Sequence, residues 1–164
     1  MNRTTLIVFA RAPIAGAAKT RLIPALGAEG AAGLHRALTE RALTQAAASR
    51  PERLELWQAD DDADGFLAAL AERHGAVPRR QYGEDLGARM RAALAEATTR
   101  GHAAMIMGTD CPELCAERIA AAAEALVSRD AVIVPARDGG YVLLGLHRSE
   151  PRLFADVPWG TGEV

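Results

Sequence analysis

The sequence predicts a single α/β domain on an open, mixed but mostly parallel sheet with helices on both faces. Three observations predict it. Short apolar runs rich in β-branched residues alternate with longer Ala-rich stretches of helical period. The alternation reads β-α-β-α-β-α-β-α-β-β, so its last two strands form a hairpin or place an antiparallel strand near the end. No linker, repeat or low-complexity block divides the chain, so residues 1–164 make one domain.

The elements follow in order. Residues 4–10 (TTLIVFA) are a continuous apolar run and read as a buried strand. Residues 11–22 are a loop broken by Pro13 and Gly16. Residues 28–49 set Leu34, Leu38 and Ala42 on one helical face, and Pro51 stops that helix. Residues 53–59 read as a second strand, and the acidic turn at 60–64 caps a helix with Phe66, Leu67, Leu70 and Ala71 inward, closed by Gly75. Residues 77–82 form a short strand nearer an edge, given Pro78, Arg79 and Arg80. Leu86, Met90, Ala93, Leu94 and Ala97 then mark a helix, and residues 103–107 (AAMIM) a central strand. A helix over about 113–128, a buried strand over 130–135, a turn at Asp138, Gly139 and Gly140 and a returning strand over 141–146 complete the pattern.

Composition excludes several classes. Apolar residues are 49% and charged residues 24%, the balance of a globular protein rather than a disordered one. A formal charge of −2 leaves no basic excess for a nucleic-acid partner. The apolar runs are too short to span a bilayer, and no secretory leader is expected, so the expected setting is cytoplasmic. Cys111 and Cys115 give no disulfide framework and read as reduced thiols. One imbalance stands out. Lys19 is the chain's single lysine against eighteen arginines, the nineteen cations together being Lys plus Arg.

Open sheets of this kind hold ligands beyond the carboxyl ends of their strands. Four loops therefore matter. The first offers Arg11, Lys19 and Arg21 around the Gly16 turn, cations and backbone N–H groups suited to a polyphosphate. It is not a Walker A loop, because Ala18 stands where that motif needs glycine before lysine. In the second, Asp85, Gly87 and Arg89 open a helix; Asp85 is read either as an N-cap or as part of a base or ribose contact. In the third, Asp110 follows an apolar strand, where it is read as a ligand for Mg²⁺ or Mn²⁺ or, with Thr109, as a helix cap before Pro112. In the fourth, Asp138 precedes Gly139, Gly140 and Tyr141; the turn itself explains the glycines, and Asp138 suits a metal-assisting or general-base role. Trp159 near the end is read as stacking on an acceptor or as packing.

The ordered set FARAPIAGAAKTRL, GEDLGARM, MGTDCPEL, VPARDGGYVLLGL and VPWGT resembles the arsenosugar-biosynthesis glycosyltransferases of the nucleotide-diphospho-sugar transferase superfamily, which has the GT-A fold. The resemblance covers nearly the whole chain and rests on five motifs in order, none specific alone. It implies Arg11, Lys19 and Arg21 on the phosphates with Gly16 beside them, Asp110 as the metal-binding acid, and Asp85, Gly87 and Arg89 along the nucleotide pocket. It implies Asp138, Gly139, Gly140, Tyr141 and Trp159–Thr161 toward the acceptor. Two departures accompany it. Gly108 stands where an Asp-x-Asp pair would have its first acid, and relatives continue for about a further helix and strand, so a C-terminal helix and strand are expected to be lacking here. The expected activity is metal-dependent glycosyl transfer from a nucleoside diphosphate sugar to a small-molecule acceptor, with Lys19, Asp110 and Asp138 catalytic. Nucleotidyl transfer on the same fold is the first alternative and a non-catalytic nucleotide-binding module the second. A P-loop ATPase is more distant.

Overall fold

The computed structural model describes residues 4–155 and 157–159. Its strands are β1 (Thr4–Ala10), β2 (Arg53–Gln58), β3 (Val77–Arg80), β4 (Ala103–Met107), β5 (Ala131–Pro135) and β6 (Tyr141–Leu146). Its helices are α1 (Ile23–Ala48), α2 (Phe66–His74), α3 (Leu86–Thr99) and α4 (Ala116–Ala125), with 3-10 turns at Thr20–Leu22 and Pro151–Phe154. One sheet runs β3-β2-β1-β4-β6-β5. The pairs β1–β2, β1–β4 and β2–β3 are parallel, while β6 lies antiparallel to both β4 and β5. The expected mixed, mostly parallel α/β sheet is the one observed.

Strand alternation explains the two layers. In β1, Leu6, Val8 and Ala10 face one side with Leu54, Leu56, Met105 and Met107, under Leu43 and Ala46 of α1, Leu67 of α2 and Ile119 of α4. Ile7, Trp57, Ala104, Ile106 and Leu144 face the other, under Met90, Ala93, Leu94 and Ala97 of α3. The long helix, the second helix and the fourth thus cover one face, and α3 with Phe154 covers the other.

Local chemistry sets the boundaries. Asp62 accepts from Leu67 N and Ala68 N, and Asp64 accepts from Phe66 N, so the acidic turn does cap α2. The Phe66 N–H, with the Arg36 guanidinium, holds the Asp64 carboxyl below its usual range. Gly75 ends the helix at φ 63°, a left-handed value suited to glycine.

Three expectations need correction. The long helical run starts near residue 28 as expected, because Gly27 at φ 71° and ψ 166° breaks the helical path between it and the turn over residues 23–26, but its buried face runs through Ala31, His35, Thr39, Ala42 and Ala46 rather than through Leu34, which is 38% exposed. Helix α4 starts at Ala116 rather than at 113, after an irregular stretch that follows Pro112. Strand β5 is not buried: β6 returns between it and β4, which pushes β5 to the edge and leaves Ile133 55% exposed. The five residues of β4, by contrast, are all buried, as expected of a central strand.

Candidate functional site

The chain direction across the sheet reverses between β1 and β4. Strand β1 has β2 on one side and β4 on the other, so the loops leaving β1 and β4 emerge side by side at the carboxyl ends of adjacent parallel strands. Because β5 runs parallel to β4 with β6 reversed between them, the Asp138 turn emerges at that same edge.

Lys19 and Asp110 meet at this edge. Lys19 Nζ lies 2.5 Å from Asp110 Oδ1 although the residues are far apart in sequence. The lysine side chain is 18% exposed and the aspartate side chain 72%, so the ammonium sits inward with the carboxylate on its solvent side. Lys19 also adopts φ 51°, ψ 44°, a left-handed conformation that costs a non-glycine residue about 1–2 kcal/mol. Strain of this kind persists only where the surroundings over-determine it.

Those surroundings are visible. Ala17 N and Ala18 N both donate to the Ile14 carbonyl, and Gly16 takes φ 82°, folding residues 14–18 into a tight turn. His35 of α1, buried at 6% exposure, places Nε2 3.0 Å from the Arg11 carbonyl. Arg41 of α1 donates from Nε to the Pro112 carbonyl at 2.7 Å. Gln45 of α1 accepts from Ala116 N at 2.9 Å. One helix therefore fastens both loops, the one carrying Lys19 and the one carrying Asp110. Sequence reading gave His35, Arg41 and Gln45 no such role. His35 on the inward face of α1 was the one signal, since histidine there needs a polar partner.

Asp110 does not cap α4. The helix begins six residues later with Cys115 at its N-cap, and Gln45 satisfies its first N–H. The capping reading of Asp110 is thereby removed, and its carboxylate serves the ion pair. Cys111 and Cys115 are free thiols.

The remaining site residues divide. Arg11 is exposed and donates from Nε to Asp60 Oδ2 at 3.1 Å, held toward the end of β2. Arg21 is exposed in the Thr20–Leu22 turn beside Lys19. Asp85 is the N-cap of α3, accepting from Ala88 N at 2.7 Å. Arg89 donates to the Gly83 carbonyl at 3.2 Å and closes that loop. Gly83, at φ 136°, lies so near the backbone of Ala88 and Arg89 that a Cβ would not fit. Gly87 is buried under the Trp159 indole, which is stacked on Phe154 with ring centroids 6.2 Å apart. The packing reading of Trp159 is thus realised, directly on the loop expected to line the nucleotide. Gly160 and Thr161, also expected near the acceptor, lie outside the described residues.

In the fourth loop Asp138 is exposed and accepts from Gly140 N at 3.3 Å, and Gly139 takes φ 97°. Tyr141 is half-buried, and burial pushes its hydroxyl up to about 12, so it remains a donor across the neutral range. Two shallow cavities, of about 320 and 420 Å³, lie away from the ion pair, one near Arg50 and His74 and one beside Gly83 and Ala88.

Asp110 is the residue that would hold a divalent cation. Among the described residues no group of three or more His, Cys, Asp or Glu side chains gathers to hold a metal. A single exposed carboxylate still fits a hard cation whose other ligands are phosphate oxygens and water. Among the described residues no helix is long and apolar enough to cross a membrane.

The chain is similar to solved structures. A candidate nucleotide-diphospho-sugar transferase of Desulfovibrio desulfuricans shares 30% identity over 99% of this chain and 72% of its own, with a TM-score of 0.85. A cytidylyltransferase of Leptospira borgpetersenii aligns over 98% of this chain and 66% of its own, at 13% identity and a TM-score of 0.59. The 4-diphosphocytidyl-2C-methyl-D-erythritol synthase of Anaerococcus prevotii aligns over 93% of this chain and 73% of its own, at 15% identity and a TM-score of 0.57. The last two likenesses establish the fold alone. None of the curated proteins matches this chain. The fold is that of the nucleotide-diphospho-sugar transferases, and the chain belongs to the family described as an uncharacterized protein conserved in bacteria (DUF2064), whose pattern matches residues 42–161.

Proposed function

We propose that this protein is a transferase that grips the diphosphate of a nucleoside diphosphate sugar and passes the glycosyl group to a small acceptor. The observation that carries this reading is the Lys19–Asp110 pair at the carboxyl ends of β1 and β4. A mostly buried ammonium in a strained turn beside an exposed acid suits charge that develops on a departing diphosphate. Arg21 stands in the same turn and adds a second cation. Arg11 would join them on release from Asp60. A divalent cation, Mg²⁺ or Mn²⁺, held by Asp110 supplies further neutralisation of the leaving oxygens when bound.

The acceptor hydroxyl oxygen forms the new bond to the anomeric carbon. The bond from that carbon to the diphosphate oxygen breaks, and the nucleoside diphosphate leaves with the electron pair. The hydroxyl proton passes to a base, for which Asp138 is the exposed carboxylate on the acceptor side. Gly139, Gly140 and Tyr141 shape that side, Tyr141 as a hydrogen-bond donor. Asp85, Gly87 and Arg89 would form the wall along the nucleoside, stiffened by Trp159. The resemblance to arsenosugar-biosynthesis glycosyltransferases is the reason to include arsenic-bearing acceptors among those screened.

Nucleotidyl transfer is the second reading. The same pair of Lys19 and Asp110 would serve attack on the α-phosphorus of a triphosphate with departure of pyrophosphate, and the two similar cytidyl-transferring proteins share this fold. Product analysis separates the two. Incubation with UDP-, GDP-, CDP- and ADP-sugars and with the four triphosphates, each with Mn²⁺, is expected to release a nucleoside diphosphate from one of the sugars. Lys19→Ala is expected to reduce that release by at least tenfold, in the range seen when a donor to the developing charge is removed. Pyrophosphate release instead identifies the second reading, and no thermal stabilisation by any nucleotide removes both.

A further inference from the structure

Residues 12–18 (APIAGAA) lead to Lys19 without one polar side chain. That stretch cannot fasten itself to the rest of the fold by a side-chain hydrogen bond. Among the described residues its backbone bonds close within the loop: Ile14 N donates to the Ala12 carbonyl, and Ala17 N and Ala18 N donate to the Ile14 carbonyl. Ala12 and Ala18 are buried, but apolar packing is non-directional and does not fix how the loop is turned. The directional tie comes one residue earlier. The Ala10 carbonyl still accepts from Ala59 N, just past β2, whereas the Arg11 carbonyl turns to α1 and meets His35 Nε2 at 3.0 Å. The Arg11 side chain is engaged by Asp60.

His35 is a poor choice for packing alone. A carbonyl only accepts, so Nε2 carries the proton, and in the neutral ring Nδ1 is an acceptor. Nδ1 is buried with no partner among the described residues, and an unmet buried polar atom is costly. Ala31, Thr39, Ala42 and Ala46 share the buried face of α1, where an apolar side chain would pack without that cost. The bond to Arg11 is what the ring supplies. The Arg11–Ala12 peptide is trans and planar, so holding its carbonyl toward α1 aims the Ala12 N–H the opposite way. From there the loop runs through Gly16 at φ 82° to Lys19 at φ 51°, a strained residue that persists only in a loop held firmly.

We infer that His35 is a positioning residue for Lys19. By holding the Arg11 carbonyl against α1 it sets the first peptide of the loop and, through the turn at residues 14–18, the place of the ammonium beside Asp110. The inference rests on the phosphate-binding reading above and deepens it. Without the tie the cation is still present but must be ordered on binding, which weakens its hold on phosphate.

The chain's single lysine makes its placement directly readable. Amine-directed labelling followed by peptide mass spectrometry reports the Lys19 side chain, with the α-amine of Met1 on a separate peptide. The proteins are the wild type, His35→Leu and His35→Met, which lack the donor, His35→Gln, which offers an N–H at similar reach, and Thr39→Val, one turn along the same buried face. Urea denaturation gives the stability of each. Without ligand, the two donor-free variants are expected to label about fivefold faster than the wild type, the scale of a part-exposed ion pair. His35→Gln and Thr39→Val should label at the wild-type rate. Inorganic pyrophosphate is expected to slow labelling of the wild type, and the donor-free variants should need about two- to tenfold more of it for the same protection. Their urea midpoints should stay near that of the wild type, because removal of the unmet Nδ1 offsets the lost bond. Wild-type labelling rates in both donor-free variants overturn the inference. So does faster labelling that His35→Gln does not reverse or that Thr39→Val shares, and so does failure of both donor-free variants to fold, since each marks a role confined to packing. Faster labelling of the donor-free variants with no protection of the wild type by pyrophosphate upholds the placement of Lys19 by His35 and overturns the phosphate reading.

Discussion

Replacing Gly87 with alanine sets two known effects against each other. Gly87 is the second residue of α3, and its φ does not lie in the left-handed region. Alanine suits that backbone, and in a helix interior it gains about 0.5–1 kcal/mol over glycine. Here the added Cβ falls on the Trp159 indole, closest to Nε1, Cε2 and Cζ2. The obstacle is a ring rather than the tip of a flexible chain, and it is backed by Phe154 in a near-parallel stack at 23°. Overpacking of this kind costs about 1–3 kcal/mol. The expected net effect in the wild type is a loss of about 0–2.5 kcal/mol, the clash outweighing the propensity gain. In a Trp159→Ala background the obstacle is gone, and the same substitution should stabilise by about 0.5–1 kcal/mol. The double-mutant cycle by urea denaturation thus gives a coupling of about 1–3 kcal/mol. Trp57 remains as the emission probe, buried with its Nε1 on Glu55 Oε2 at 2.8 Å. The reasoning is refuted if Gly87→Ala stabilises both backgrounds equally.

Three further predictions concern the scaffold. Glu55 is fully buried and accepts from Arg53 Nε at 2.6 Å, Arg100 at 2.8 Å and Trp57 Nε1; Glu55→Gln should cost about 2–3 kcal/mol in urea denaturation, below the full cost of breaking a buried pair because both arginines reach water. Tyr141 should titrate at about 12 in a Tyr82→Phe background by absorbance at alkaline pH. Since an unfolded tyrosine ionises near pH ~10, the unfolded state binds fewer protons between those values, and Tyr141 should make stability fall as pH rises through that window, an effect absent in Tyr141→Phe. Arg50 precedes Pro51 at φ 54°, so Arg50→Gly should raise the thermal midpoint slightly, by relief of about 1–2 kcal/mol of strain offset by about 0.4–1 kcal/mol of added unfolded-state freedom; a lowered midpoint would count against it.

Sequence patterning reached the sheet because its signal is local. Residues 6–10 and 103–107 are each apolar throughout, as burial on both faces of a central strand favours. The same logic misplaced β5, whose run DAVIVP is as apolar as the others. Its position is decided by where β6 inserts, a nonlocal fact that no window of residues contains. At the site, the scarcity of lysine pointed to Lys19, and the end of an apolar strand pointed to Asp110. Their contact follows from the parallel pairing of β1 and β4. The supports from His35, Arg41 and Gln45 stayed hidden because their partners lie 24 to 71 residues away. Asp85 met the reverse fate: its capping bond is local, and the structure makes that bond.

The cluster around Glu55 sits toward the amino ends of the parallel strands, where Arg53 opens β2 and Arg100 follows α3, opposite the edge that carries Lys19 and Asp110. The buried charge cluster and the candidate site therefore occupy opposite ends of one sheet. The loops of Lys19 and Asp110 have their own ties to α1 through His35, Arg41 and Gln45, so a change that loosens the Glu55 end should leave their placement standing.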